Sequence, residues 1–183
     1  MNTYDYANGE ITGAIGSAWA RFWARGFDTL IYALPTAFLV GLAFPSFFTG
    51  SLFTEPGGEY ALGVLLLPLV MIVDALVIAI TGTSPGKAIA GLSVRDSDNN
   101  NPSIELSLKR NLLLYIKGLV LGLPLFSLIG YISGYNAMKK NNATSWDEST
   151  GTRVYCSDGE SSRTVLIAIL FIALSLLANI ANK

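Results

Sequence analysis

The chain has 183 residues, 51% of them hydrophobic and only 14% charged, against about 25% charged in an average soluble domain, too few to solvate a globule evenly. It contains no histidine and a single cysteine, Cys156, which excludes Ser-His-Asp and Cys-His catalysis, histidine- or thiolate-built metal sites and an intrachain disulfide, so neither an enzyme nor a cofactor is expected. A net charge of −1 and no basic patch interleaved with aromatics argue against nucleic acid as a partner and leave the lipid bilayer, and through it this chain itself or another membrane protein.

The charges are gathered at the edges of apolar runs. None lies between Asp28 and Glu55, between Lys117 and Lys139, or between Arg163 and Lys183, and only Asp74 interrupts Glu59 to Lys87. Each gap is near the ~20 residues of a bilayer-spanning helix, so the pattern predicts an all-α integral membrane protein.

In chain order, residues 1–28 read as a polar tail that becomes interfacial. It carries Asp5 and Glu10 but no apolar leader segment, so no cleavable signal is expected. Trp19, Phe22 and Trp23 interleave with Arg21 and Arg25, which suits a short amphipathic helix at headgroup level. Residues 29–48 form the first expected span, with Pro35 and Pro45 inside it, and a turn-rich loop from Thr49 to Glu59 carries acids alone. Residues 60–81 form the second span and enclose Asp74. The next stretch holds Lys87, Arg95, Lys109 and Arg110; the positive-inside rule makes it and the N-terminus cytoplasmic and the acidic loop external.

Residues 91–96 and 151–156 each alternate apolar and polar side chains before a turn-rich run, the pattern of a short strand. Isolated strands are marginal. Mutual pairing as a small two-stranded cytoplasmic element is therefore expected, with both strands on one side of the membrane. That constrains the segment between them, residues 112–138: at 27 residues it is too short for two crossings of ~20 residues each. Gly122-Leu123-Pro124 interrupts it, since the residue before proline is pushed out of helical geometry. Two half-length arms, Leu112–Leu121 and Leu125–Met138, folded as a re-entrant hairpin fit this best; one long kinked helix is the competing arrangement. Gly118/Gly122 and Gly130/Gly134 put a Gly-x-x-x-Gly pair in each arm, the signature of close helix packing in membranes. Residues 164–182 form an uncharged C-terminal span.

Several of these runs together resemble the RDD family of small bacterial multi-pass membrane proteins. The resemblance rests on the run from Arg21 to Ile31, on Thr81-Gly82-Thr83-Ser84-Pro85-Gly86-Lys87 leading into Gly91–Asp96, on Lys109-Arg110-Asn111, and on the run from Trp146 to Val154. The arginine and two aspartates of the family's name fall on Arg25, Asp28 and Asp147. The family usually has histidine where this chain has Trp146, so a proton relay at that position does not carry over. The resemblance implies the bacterial inner membrane and, for some members, transport; it covers about Ala18 to Tyr155 and leaves out the C-terminal span.

Two constellations stand out. Arg25, Asp28, Lys87, Arg110 and Asp147 all sit near the cytoplasmic boundary, either as an ion-pair network tying helices to strands or as a charged vestibule for an ion or anionic solute. Asp74 lies seven residues before Thr81 and Lys117 seven after Arg110, each ~10 Å inside that boundary at helical rise. Charges at that depth normally face a partner or water, so the two are expected to pair, as a lock or as part of an ion pathway. The leading expectation is a small ion or solute transport component; the alternative is a non-transporting accessory or scaffold for another membrane protein.

Overall fold

The structure, a computed structural model, describes residues 14–46, 50, 58–122, 124–157 and 160–181. The first thirteen residues, most of the Thr49–Glu59 loop, Leu123 of the expected break and the last residue of the C-terminal span lie outside them.

The first strand, β1 (Ala14–Ile15), leads into α1 (Ala18–Ala43). Ser17 caps that helix, its hydroxyl accepting from the Ala20 amide at 3.2 Å, which satisfies one of the first-turn donors. The expected interfacial helix and the first span as far as Ala43 are one continuous element; Pro45, expected inside the span, lies in a turn beyond the helix, and residues 47–48 of the span lie outside the described residues. No breaker separates them: Gly26 is packed under the Phe171 ring, and Pro35 is accommodated inside the helix.

Helix α2 (Gly58–Thr81) runs antiparallel to α1, and Gly82, in the left-handed region with φ of 73°, ends it. Pro85 then opens the short α3 (Pro85–Ile89), followed by β2 (Leu92–Arg95). Helix α4 (Ile104–Leu113), capped by Ser103, continues into a π-helical turn at Leu114–Gly118 and a 3-10 turn at Val120–Gly122. Val120, Leu121 and Gly122 have φ of 46°, 61° and 80°. Three left-handed residues in succession end the helix, the last of them, Gly122, being the first residue of the expected Gly-Leu-Pro break. The Tyr115 hydroxyl braces that turn by donating to the carbonyls of Leu121 (3.2 Å) and Val64 (2.9 Å).

Beyond the turn, α5 (Pro124–Asn141) packs against the π-helical turn, with Gly130 lying on the Gly118 carbonyl, where a Cβ would collide. Helix α6 (Ser145–Thr150) comes next, closed by Gly151 at φ 65°, then β3 (Arg153–Cys156) and α7 (Glu160–Ala181). The Ser17 amide donates to the Glu160 carboxylate, so α1 and α7 start side by side and run in the same direction.

The two expected strands pair antiparallel, Leu92 opposite Cys156 and Val94 opposite Val154. The sheet has a third member, because β1 adds to the other edge of β3, Ala14 opposite Cys156. Two residues are too few to produce an alternation, so this strand leaves no mark in the pattern. Beneath the sheet, Leu92, Val94 and Val154 pack with Ala20, Ala24 and Ile78 of α1 and α2. A second apolar cluster, including Tyr32, Met71, Tyr115 and Trp146, joins α1 and α2 to the π-helical turn and α6.

Among the described residues, three helices are long and apolar enough to cross a membrane: Ala18–Ala43, Val64–Thr81 and Glu160–Ile180. Their outward faces are large apolar side chains, with Leu34 71% exposed, Ile80 76% and Ile180 69%. Continuous apolar walls of this kind are what an acyl-chain environment covers.

Candidate functional site

On α1, Arg21, Arg25 and Asp28 succeed one another at intervals of four and three residues, so they share one helix face. That face points inward, and Arg25 and Asp28 are buried. Each meets a different element. Arg25 Nη1 lies 2.6 Å from Asp74 Oδ2 of α2. Asp28 receives the Gly86 amide at 2.6 Å, the Ser84 hydroxyl at 2.5 Å and Lys87 Nζ at 3.2 Å, and so acts as the anionic cap of α3. Gly86 permits this approach, because a Cβ there would strike the Ala24 carbonyl. Lys87 also reaches Asp74 Oδ1 at 3.3 Å, and Asn111 of α4 donates to Asp74 Oδ2 at 2.8 Å.

A second group centres on Asp147 of α6. Arg110 Nε lies 2.7 Å from its Oδ1 and Arg21 Nη1 2.8 Å from its Oδ2. The Thr144 hydroxyl donates to Oδ2 at 2.7 Å, and the Thr152 amide to the Asp147 main-chain carbonyl at 3.0 Å. Arg21 also donates to the Gly16 and Val154 carbonyls at 3.0 and 3.1 Å, joining α1 to the sheet. The two residues that flank the broken segment, Arg110 and Asp147, are therefore in contact.

All five residues of the expected cytoplasmic cluster fall within these two groups. The sequence pattern places Arg21 at the membrane interface and so misses it as a member, along with the neutral partners Ser84, Asn111, Thr144 and Thr152. The four-residue step from Arg21 to Arg25 is a signal for the first; the neutral partners carry no charge pattern to find.

The expected pair of Asp74 with Lys117 is not formed. Asp74 is fully enclosed by Arg25, Lys87 and Asn111. Lys117 is exposed, and none of the ion pairs among the described residues involves it. Matched depth is the basis of that expectation, but direction around the helix decides contact: Asn111, Leu114, Tyr115 and Gly118 form the buried face, and Lys117 falls on the opposite one with Leu112 and Ile116. The glycines also divide. Gly118 and Gly130 appose the two arms, Gly118 and Gly134 make room for the Trp146 ring, and Gly122 is a left-handed turn residue. Trp146, in the family's histidine position, is thus a packing residue.

The charges are arranged asymmetrically. A cavity of about 390 Å³ opens between the start of α1, α5 and α6, and its lining contains Arg21, Arg25, Lys87 and Arg110 but none of Asp28, Asp74 or Asp147. Three carboxylates, Asp28, Asp74 and Asp147, answer these four cations directly, and Glu160 stands near Arg21 as a fourth. Arg110 is 3% exposed, and its Nη1 is buried without a hydrogen-bond partner among the described residues. An unmade bond of that kind costs about 1–3 kcal/mol, more for a charged donor. Burial raises the Asp147 carboxyl, but Arg110 and Arg21 outweigh it and hold the group below the ordinary aspartate range. Burial, then the neighbouring Arg25, pull the Lys87 ammonium below the usual lysine range, against the attraction of Asp74 and Asp28. Among the described residues no group of three acidic or sulfur ligands converges to hold a metal ion.

Compared with known proteins, residues 15–151 match the family model described as the RDD family. No curated protein and no solved structure matches the chain.

Proposed function

Starting from the chain's membership of the RDD family of small multi-pass membrane proteins, we propose that it is a transport component that binds and moves an anionic solute. The observation that carries this reading is the cavity whose lining includes Arg21, Arg25, Lys87 and Arg110 but none of their carboxylate partners Asp28, Asp74 and Asp147. A low-dielectric cavity lined by cations and by none of these carboxylates favours an incoming anion. Asp74, enclosed and absent from the cavity lining, locks α1 to α2 and α3 and does not line the path.

In this reading the N-terminus and the three-stranded sheet are cytoplasmic, because Lys87, Arg95, Lys109, Lys139 and Lys140 all lie at or beside the charged end, and the membrane is the bacterial inner membrane, as the family resemblance implies. The broken segment is a re-entrant hairpin rather than a crossing. Support comes from the contact of its flanking residues Arg110 and Asp147 and from the apposition of Gly118 and Gly130. Its apex, tied to Val64, lies about 25 Å along α2 from Thr81 at 1.5 Å per residue.

Purified protein in liposomes should take up labelled chloride, phosphate or octyl phosphate faster than protein-free liposomes. Equal rates for all three would remove the transport reading. The enclosure of Asp74 by three partners also suits a rigid accessory subunit. That second reading predicts a stoichiometric membrane partner on purification from native membranes and no flux.

A further inference from the structure

The walls of the same cavity select the kind of anion it takes. Above the cations the lining is Trp19 and Phe22 of α1, Leu128, Ile132 and Met138 of α5, and Trp146. Trp19, Leu128 and Ile132, at 60%, 60% and 61% exposed, frame the mouth and belong to the apolar surface that faces lipid elsewhere on the protein. Among the lining cations, Arg110 has a buried guanidinium nitrogen, Nη1, with nothing to donate to among the described residues. At about 390 Å³ the space lies within the ~300–1,000 Å³ of small-molecule sites.

A small hydrated anion would satisfy the Arg110 donor but leave the aromatic and aliphatic walls wet. A neutral apolar molecule would cover the walls but leave the Arg110 donor unanswered. We infer that the cavity binds an anionic amphiphile, with its negatively charged head on Arg110 and its apolar tail between α1 and α5 toward the mouth. This rests on the reading of the cavity as an anion site and adds the substrate class. A membrane lipid headgroup and a free alkyl phosphate share this chemistry. Arginine suits the role because its planar fork can hold Asp147 through Nε while presenting Nη1 to the head.

Two of the chain's three tryptophans, Trp19 and Trp146, line the cavity, so intrinsic fluorescence reports its occupancy. The full chain in phosphatidylcholine nanodiscs is titrated with octyl phosphate, inorganic phosphate and octanol. Octyl phosphate should bind at least about tenfold more tightly than either of the others, and Arg110→Lys, which keeps a cation for Asp147 but loses the fork, should remove about that factor. Ile132→Trp, which narrows the mouth without touching a charge, should weaken octyl phosphate and leave inorganic phosphate unchanged, and it decides the matter if the Arg110 variant does not fold. Phosphatidylglycerol added to the nanodiscs should compete if lipid headgroups occupy the site; absence of competition assigns it to a free amphiphile. Octyl phosphate binding no tighter than inorganic phosphate would overturn the amphiphile but leave the anion site. Equal binding of octyl phosphate and octanol, or no binding by any of the three, would overturn both.

Discussion

Asp74 holds three partners from three elements and has no contact with solvent. Replacing it with asparagine leaves Arg25 and Lys87 facing each other with only Asp28 to balance them, and stranding buried charge in this way costs about 3–5 kcal/mol. Thermal unfolding in detergent should show Asp74→Asn markedly less stable, while Lys117→Met, at an exposed position without an ion pair, stays within about 0.5 kcal/mol of the parent. Equal effects would mean that Lys117 has a structural role after all. Asp147 gives a pH dependence. Its folded pKa lies below the unfolded value because Arg110 and Arg21 overcome the burial that would raise it, so its contribution is complete above the ordinary aspartate range, near pH ~4, and is lost as pH falls through the folded value. Stability should therefore drop on acidification below pH ~4, and Asp147→Asn should start lower and flatten that part of the profile. The single cysteine behaves differently: burial and the nearby Glu160 push the Cys156 thiol up to about 11, so maleimide should label it slowly at neutral pH.

At the scale of elements, the alternation in residues 91–96 and 151–156 locates both strands and their pairing, because a half-buried strand must alternate. The third strand is invisible in the pattern because a two-residue edge has no period. The broken segment is legible as broken, since a proline and a glycine stand in its middle, but the form of the break is not: a π-helical turn succeeded by left-handed backbone at Val120, Leu121 and Gly122 depends on tertiary bracing through Tyr115. Gly130 carries the close approach of the two arms, and Gly130→Leu would drive a side chain into the Gly118 carbonyl. Overpacking of that kind costs about 1–3 kcal/mol, visible as a lowered unfolding temperature; an unchanged one would show that the arms do not touch. The hairpin also sets the side of the membrane on which α6 and β3 lie. Cysteines introduced at the exposed Asn141 and Ser149 should resist an impermeant maleimide added from outside intact cells, against the low background of Cys156. Labelling from outside would establish a single crossing and separate Arg110 from Asp147.

Across the whole molecule, the placement of charge is the most informative property of the sequence. Charges at the borders of apolar runs locate the three candidate spans and gather Arg25, Asp28, Lys87, Arg110 and Asp147 at one end, where the structure joins them into two linked groups. Partner choice is less legible, because depth along a helix can be counted from sequence while rotation about its axis depends on what each helix packs against. That is why depth alone pairs Asp74 with Lys117 and gives no hint of the roles of Arg21 and Asn111. The asymmetry of the site, with its cations in the cavity lining and its three aspartates outside it, arises only when six helices and the sheet meet. The most direct test of that asymmetry is uptake of labelled octyl phosphate by proteoliposomes of the parent chain and of Arg110→Lys, with Lys117→Met as a control for intramembrane charge. The predicted result is uptake above protein-free liposomes that falls about tenfold in Arg110→Lys and is unchanged in Lys117→Met; equal uptake by all three proteins, or none by the parent, would contradict it.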